Sequence, residues 1–135
     1  MDKLDKIFMM QQDLNAYIGR KHGIAPLAQP SSATDDEKIE WLLKFNKALA
    51  KESSELDDCH VWKWWADDHG TFDWQNARVE IVDILHFFVS MCIYAGMTPD
   101  ELCRIYEQKW LINKHRQDEG YSIANKTEDD NNHIR

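Results

Sequence analysis

The sequence has no excess of positive charge and no long uninterrupted apolar run. Its 135 residues include 24 acidic and 16 basic side chains, for a formal net charge of −8. We therefore expect no nucleic-acid partner, because such binding rests on Lys and Arg side chains that neutralise phosphates. The most apolar stretch, residues 81–97, contains Asp83, His86 and Ser90. It falls short of the roughly 20 apolar residues of a membrane span, so no membrane partner is expected either.

The N-terminus and the cysteines carry no sign of export. Residues 1–6, MDKLDK, lack the apolar core and small-residue cleavage site of a signal peptide. Cys59, Cys92 and Cys103 are odd in number and unpatterned, which is typical of free thiols in a reducing compartment. We predict a cytoplasmic protein with one domain, since 135 residues with 43% hydrophobic content suffice for one core.

Helical periodicity predicts an all-α fold, a bundle of four main helices plus a short helix. Internal repeats and useful strand-like alternation are both missing from the sequence. Thr34 and Glu37 form a capping-box pattern, as do Thr98 and Glu101, where Pro99 takes the first helical position. The predicted bounds of the main helices are about 2–21, 35–56, 75–94 and 99–117.

Three segments are predicted to lie outside the main helices. Residues 23–34, with two prolines, are predicted to form a loop. Residues 59–75, which hold four of the six tryptophans, are predicted to form a short helix or turn and then a mobile loop. The apolar pattern stops after residue 121, which predicts a single domain over 1–121 and a flexible tail over 122–135.

Two acid-x-x-acid pairs carry the main chemical signal. Glu52 and Glu55 form one pair, Glu80 and Asp83 the other, and residues three apart share a helix face. The second pair lies in so apolar a segment that its helix is predicted to be buried on most of its circumference. Carboxylates held away from water cost on the order of several kcal/mol each unless they are compensated. A bound cation would compensate them on the facing helices that form the site.

The donor set selects the metal. Four carboxylates without a Cys or His ligand pattern favour Mg²⁺, with Mn²⁺ also possible, over zinc. Because Mg²⁺ keeps several waters and completes its shell with substrate phosphates, the pattern predicts a phosphorylated substrate. The competing interpretation of a single pair is an ordinary solvated helix face.

Three further groups of residues have both a functional and a structural interpretation. Gln12 and Asn15 share a helix face and could read a base edge, or be exposed polar residues. Trp62, Lys63 and Trp65 could contact a base and a phosphate, or the rings could pack in the core. The cationic stripe on the fourth helix could clamp a triphosphate or form a solvated face. This stripe consists of Lys109, Asn113 and Arg116.

The assembled pattern resembles the all-α dimeric dUTPases, relatives of the MazG-type nucleotide pyrophosphohydrolases. The resemblance covers nearly the whole ordered chain. The segments that carry it are Gln12-Asp13-Leu14-Asn15, Glu52-Ser53-Ser54-Glu55, Trp62-Lys63-Trp64-Trp65, Glu80-Ile81-Val82-Asp83 with Ile84-Leu85-His86-Phe87, and Lys109 to Asn113 with Arg116-Gln117 and Gly120-Tyr121. It implies hydrolysis of dUTP, and also dUDP, to dUMP by a homodimer whose subunits complete each other's sites.

The resemblance also implies a role for each matching residue. The four acids would hold Mg²⁺, and one of the first pair, Glu52 rather than Glu55, would orient or deprotonate the attacking water. The remaining residues would bind the substrate. Gln12 and Asn15 would read uracil; Trp62 or Trp65 with Phe87 would enclose the base; Lys63, Lys109, Asn113 and Arg116 would bind phosphates or sugar.

Three alternatives stay open at this point. A related dCTPase or a broader pyrophosphohydrolase would use the same acids, and flipped amides of Gln12 and Asn15 could face cytosine. A di-iron carboxylate bundle needs two Glu-x-x-His motifs, whereas Asp83 and His86 supply a single carboxylate-x-x-His. A non-enzymatic helical adaptor would leave the acids uncompensated.

Overall fold

The computed structural model describes residues 1–68, 70–120, 122 and 129–135, and the fold is all-α as the sequence predicts. The main helices match their predicted bounds to within one or two residues. The α-helices are α1 (Lys3–His22), α2 (Ala25–Ala28), α3 (Asp35–Asp57), α4 (Trp74–Tyr94) and α5 (Pro99–Asp118).

Side-chain caps set the helix starts. The Thr34 and Thr98 hydroxyls accept from the backbone N–H groups of Glu37 and Glu101, whose carboxylates accept from the cap backbones in return. These capping boxes confirm both predicted starts. At the other end of α1, Gly23 adopts a left-handed conformation (φ 66°), which a glycine reaches without a Cβ penalty.

The chain divides into two compact units, Met1–Gly96 and Met97–Arg135. In the first unit α3 packs along α4, α1 packs against α4, and α2 packs against α1. Its core holds Leu27, Phe45 and Tyr94, and the Tyr94 hydroxyl donates to the Pro26 carbonyl at 2.7 Å. The predicted loop at 23–34 instead contains α2 and a 3₁₀ turn, Pro30–Ser32. Proline near the start of each turn favours this outcome, because its fixed φ suits a first helical position.

Helix α4 departs from the expectation of near-complete burial. Ile81 and Val82 are 55% and 52% exposed, and Val79, Leu85 and Phe88 are also more than a third exposed. Helices α3 and α1 cover only part of α4, so the prediction of burial on most of its circumference was wrong for this chain. The result is an apolar surface on α4.

The second unit consists of α5 and the C-terminal residues that contact it. Asp129–His133 form a 3₁₀ helix, unlike the disordered tail expected from composition, because polar contacts to α5 hold this segment. The expectation for residues 123–128 lies outside the described residues. The domain limits at 121 and 122 stay a prediction. Across the part of the chain that the structure describes, none of the helices taken singly is long and apolar enough to span a membrane.

Candidate functional site

Three carboxylates from two facing helices meet in the first unit. Glu52 on α3 and Glu80 and Asp83 on α4 each offer an oxygen within 4.8 Å of the other two. Each side chain is partly buried. The three-residue spacing places Glu80 and Asp83 on one face of α4, and the packing of α3 against α4 adds Glu52.

The close approach of these side chains makes it costly for all three carboxylates to be ionised at once. Oε2 of Glu80 is buried and has no hydrogen-bond partner among the described residues. Burial, followed by the nearby carboxylates of Glu80, Glu55 and Asp83, raises the pKa of Glu52 to about 7. An unpartnered buried oxygen within a cluster of acids fits a hard divalent cation, whose ligands in proteins are carboxylate oxygens. Glu52, Glu80 and Asp83 would hold this ion.

Glu55 lies beside this cluster. Its carboxylate contributes to the raised pKa of Glu52, so it is close enough to interact with that side chain. It is not one of the three residues whose oxygens lie within 4.8 Å of one another. A ligand role for Glu55 therefore stays a prediction.

A cleft of about 500 Å³ adjoins the acids. Helices α1 to α4 all contribute to its walls, and Glu52 and Asp83 are among its lining residues. The other lining residues are aromatic, aliphatic or amide side chains: Gln11, Leu14, Asn15, Ile18, Ile24, Leu27, Trp41, Phe45, His86 and Phe87. The flat rings and amides of the cleft suit a planar ligand, and a cation bound by the acids would allow that ligand to carry an anionic group.

A chain of hydrogen bonds holds the amide side chains on one wall of the cleft. His86 Nδ1 lies 2.6 Å from Gln11 Oε1, and Gln11 Nε2 donates to Asn15 Oδ1 at 2.9 Å. Asn15 Nδ2 donates to Ser90 Oγ at 3.1 Å, which donates to the His86 carbonyl at 2.9 Å. Gln11 and Asn15 are each only 6% exposed. Buried amides held in this way are oriented groups rather than freely rotating ones.

The structure brings some of the predicted substrate residues to the cleft and not others. Asn15 and Phe87 line it, whereas Gln12 is exposed and is not a lining residue. Gln11 takes the place expected for Gln12, because Gln11 and Asn15 are four residues apart and both face α4. The helical period could have located it. The buried stripe of α1 is Phe8, Gln11, Asn15 and Gly19.

The tryptophan segment lies between α3 and α4, away from the lining of the cleft. Trp62 and Trp65 are 55% and 59% exposed, so they are not packed in the core. Their rings meet edge to face with centroids 6.0 Å apart, and Lys63 Nζ lies 5.8 Å from the Trp62 ring centroid. Instead, the aromatic side chains of α3 that line the cleft are Trp41 and Phe45.

The cationic stripe lies in the second unit. Arg116 Nε donates to Asp130 Oδ2 at 2.9 Å, and a second nitrogen of the same guanidinium donates to Oδ1. The Lys109 ammonium donates to Asn131 Oδ1. Asn113 is exposed on α5. Lys109 and Arg116 therefore bind acidic and amide oxygens of the C-terminal segment.

Sequence comparisons relate this chain to a family of nucleotide hydrolases. A family model described as dUTPase matches residues 3–101. A dCTP pyrophosphatase of Enterobacteria phage LZ5 is 26% identical over 90% of this chain and 84% of its own. A dCTP pyrophosphatase of Enterobacteria phage T4 is 28% identical over 70% of this chain and 60% of its own. No solved structure matches significantly. The matched region contains all three clustered carboxylates and the whole cleft, and the chain belongs to this all-α dUTPase family.

Proposed function

We propose that this protein hydrolyses dUTP to dUMP and pyrophosphate, and dUDP to dUMP and phosphate, in a Mg²⁺-dependent reaction. The observation that carries the proposal is the cluster of Glu52, Glu80 and Asp83 beside a cleft lined with oriented amides. A nucleotide hydrolase requires acids that can bind a metal at one part of the cleft and groups that can contact a base at another.

The carboxylates supply the metal-binding part of the site. Glu52, Glu80 and Asp83, with Glu55 beside them, would hold Mg²⁺ or Mn²⁺. When bound, the ion lowers the pKa of a coordinated water and stabilises the negative charge that develops on phosphate oxygens. Within this arrangement Glu52 would orient the attacking water and accept its proton, and the α4 carboxylates would fix the phosphates through the ion.

The amides and rings supply the nucleoside-binding part. Asn15 and Gln11 would hydrogen-bond the edge of the pyrimidine, since each amide keeps one unused donor proton and one unused acceptor lone pair. Phe87, Trp41 and Phe45 line the same cleft and would contact the faces of the base. Gln11 replaces Gln12 in this proposal.

A homodimer would complete the site. The exposed apolar surface of α4, with Ile81 and Val82 more than half exposed, supports a second copy as a partner. The exposed segment of Trp62, Lys63 and Trp65 would then contact a base and a phosphate. Lys109, Asn113 and Arg116 would bind phosphates or sugar. Sedimentation velocity tests this part: a monomer at micromolar concentration would remove the shared-site proposal.

Hydrolysis of dCTP is the second candidate. Two phage relatives at 26% and 28% identity are dCTP pyrophosphatases, whereas the matching family model is described as dUTPase. The carboxylate cluster serves either substrate equally. The choice between them depends on the amide wall alone, because uracil and cytosine differ at positions 3 and 4 of the ring.

The deciding experiment measures monophosphate and pyrophosphate release from dUTP, dUDP, dCTP, dTTP and UTP, with Mg²⁺ and with EDTA. Mg²⁺-dependent turnover of dUTP and dUDP with little turnover of dCTP supports the first proposal. Turnover of dCTP in preference to dUTP supports the second candidate function, hydrolysis of dCTP. No turnover of any nucleotide would eliminate both.

A further inference from the structure

Ser90 is a fully buried hydroxyl behind the amide wall. It is 0% exposed, on α4, and it is not one of the residues that line the cleft. Its Oγ contacts Asn15 on α1 and the His86 carbonyl one turn back on α4. Ser90 therefore contacts the candidate base-reading residue Asn15 without itself lining the cleft.

The single proton of Ser90 gives the hydrogen-bond chain a direction. A serine hydroxyl donates one hydrogen bond, and this one is donated to the His86 carbonyl at 2.9 Å. Toward Asn15, Oγ can then only accept, so Asn15 must present Nδ2 to Ser90 and Oδ1 to Gln11. Gln11 Nε2 is used in the contact with Asn15, which leaves Gln11 Oε1 to accept from His86 Nδ1.

The direction of the chain matters because the two pyrimidines present opposite patterns. Uracil has a donor at N3 and an acceptor at O4, whereas cytosine has an acceptor at N3 and a donor at N4. A freely rotating carboxamide can pair with either edge by exchanging its oxygen and nitrogen. The Asn15 amide is held by Ser90 on one side and Gln11 on the other, so it can match the donor and acceptor pattern of one base only. Binding of the other base would leave buried polar groups unpaired.

We propose that Ser90 is a positioning residue that sets pyrimidine selectivity by fixing the Asn15 carboxamide through its Oγ. The inference deepens the proposed function and rests on it, since it assumes that the cleft binds a pyrimidine nucleotide. It applies to dUTP and to dCTP alike, because a fixed amide excludes one base whichever base is preferred. It also explains why a fully buried polar side chain lies on an otherwise apolar part of α4.

The test measures kcat/KM for dUTP and dCTP and compares their ratio between variants. Ser90→Ala is expected to move the ratio toward unity by about tenfold or more, the equivalent of one well-formed buried hydrogen bond. In an Asn15→Ala background, adding Ser90→Ala is expected to leave the ratio unchanged, because Ser90 acts through Asn15. Ser31→Ala, on the exposed Pro30–Ser32 turn, is the matched control.

The ratio separates positioning from simple destabilisation. A purely structural role for Ser90 would lower both kcat/KM values in parallel, and an unchanged ratio overturns the proposal. A wild-type ratio near unity overturns it too, because no selectivity would then exist to set. Ser90→Cys nearly keeps the side-chain volume with a weak acceptor, so it is expected to shift the ratio in the same direction even where the alanine variant fails to fold.

Failure of the proposed function is recognised separately. If wild-type protein hydrolyses neither triphosphate, that function is eliminated, and binding of deoxyuridine and deoxycytidine monophosphates is measured by calorimetry instead. If the wild type binds one monophosphate selectively and Ser90→Ala loses that selectivity, the positioning role of Ser90 is retained. Equal loss of affinity for both monophosphates overturns it.

Discussion

His86 Nδ1 lies 2.6 Å from Gln11 Oε1, and His86 follows Asp83 by three residues on α4. One face of α4 thus carries both a carboxylate of the acidic cluster and the contact that holds the amide wall on α1. Because a helix is stiff over a single turn, Asp83 and His86 are held at a fixed spacing on α4. This relationship ties the position of the amide wall on α1 to the helix that carries Glu80 and Asp83.

Replacement of Glu80 by Gln is expected to reduce Mg²⁺-dependent turnover by about 10²–10⁴-fold, because a neutral amide is a poorer Mg²⁺ ligand than a carboxylate. In EDTA the same change is expected to raise Tm, since it removes one uncompensated buried carboxylate oxygen. Activity and thermal unfolding measure the two effects. Glu40→Gln, an exposed residue paired with Lys44 on α3, is the control. Full activity in Glu80→Gln would contradict the metal assignment.

The stability of the metal-free protein is expected to fall as pH rises from about 5 to about 8. The pKa of Glu52 is raised from its ordinary 4.5 to about 7, so the folded state keeps a proton that the unfolded chain releases above pH 4.5. Between these values the unfolded state binds fewer protons, and the free energy of unfolding decreases with pH. Thermal unfolding in EDTA across this range should show a decline that Glu52→Gln flattens. An unchanged pH profile in Glu52→Gln would contradict the assignment.

Added Mg²⁺ is expected to reverse that trend, because the ion competes with the Glu52 proton and binds more tightly as pH rises through 7. The Tm difference between Mg²⁺ and EDTA should therefore grow from pH 5 to pH 8. A constant difference would place the bound ion away from Glu52.

Gln11 and Gln12 form a natural pair of test and control. Gln11→Ala is expected to lower kcat/KM by about 10–100-fold, because it removes a cleft-lining amide and the hydrogen bonds of Gln11 to Asn15 Oδ1 and His86 Nδ1. Gln12→Ala, on the exposed side of α1, is expected to stay within about twofold, as surface substitutions usually do. Steady-state kinetics with the preferred triphosphate measures both. The reverse order of effects would restore the prediction made from sequence.

Gly19→Ala is expected to destabilise the protein by about 1–3 kcal/mol, as overpacking of a close contact does. A Cβ at Gly19 would lie 2.7 Å from Leu27 Cβ and would also collide with the Ala28 backbone nitrogen. Urea unfolding measures the effect. Gly70→Ala is the control, since its Cβ would meet Val61 at an ordinary 3.9 Å. Equal stability of the two variants would show that α2 moves aside without cost.

Asp130→Asn tests whether the cations of α5 bind substrate phosphates. The Arg116 guanidinium holds the pKa of Asp130 below its usual range, so the pair is charged at neutral pH. If Lys109 and Arg116 also bind phosphates, weakening this competing contact should lower the KM for a triphosphate by about two- to fivefold. Asp100→Asn, at the exposed start of α5, is the control. An unchanged KM would indicate that α5 uses these cations only to hold the C-terminal segment.

The acidic pairs illustrate what a sequence can locate. Spacing put Glu80 and Asp83 on one helix face, and apolar surroundings marked their charge as needing compensation. Capping-box patterns at Thr34 and Thr98 located these helix starts to within about one residue, because capping depends on side chains within four positions. The all-α fold followed from helical periodicity and these local signals, whereas the family followed from the resemblance of the assembled motifs.

The tertiary structure decided which glutamine faces the cleft, which aromatic rings line the cleft, and which hydroxyl group contacts Asn15. Gln11 and Gln12 are adjacent and chemically identical, and only the packing of α1 against α4 buries the first. Trp62 and Trp65 look like base-stacking residues in sequence, yet Trp41 and Phe45 line the cleft because α3 packs against α4. Ser90 gives no sequence signal at all, since its role depends on Asn15, 75 residues away. Local spacing determined the helices and the acids, whereas contacts between distant residues determined the cleft beside them.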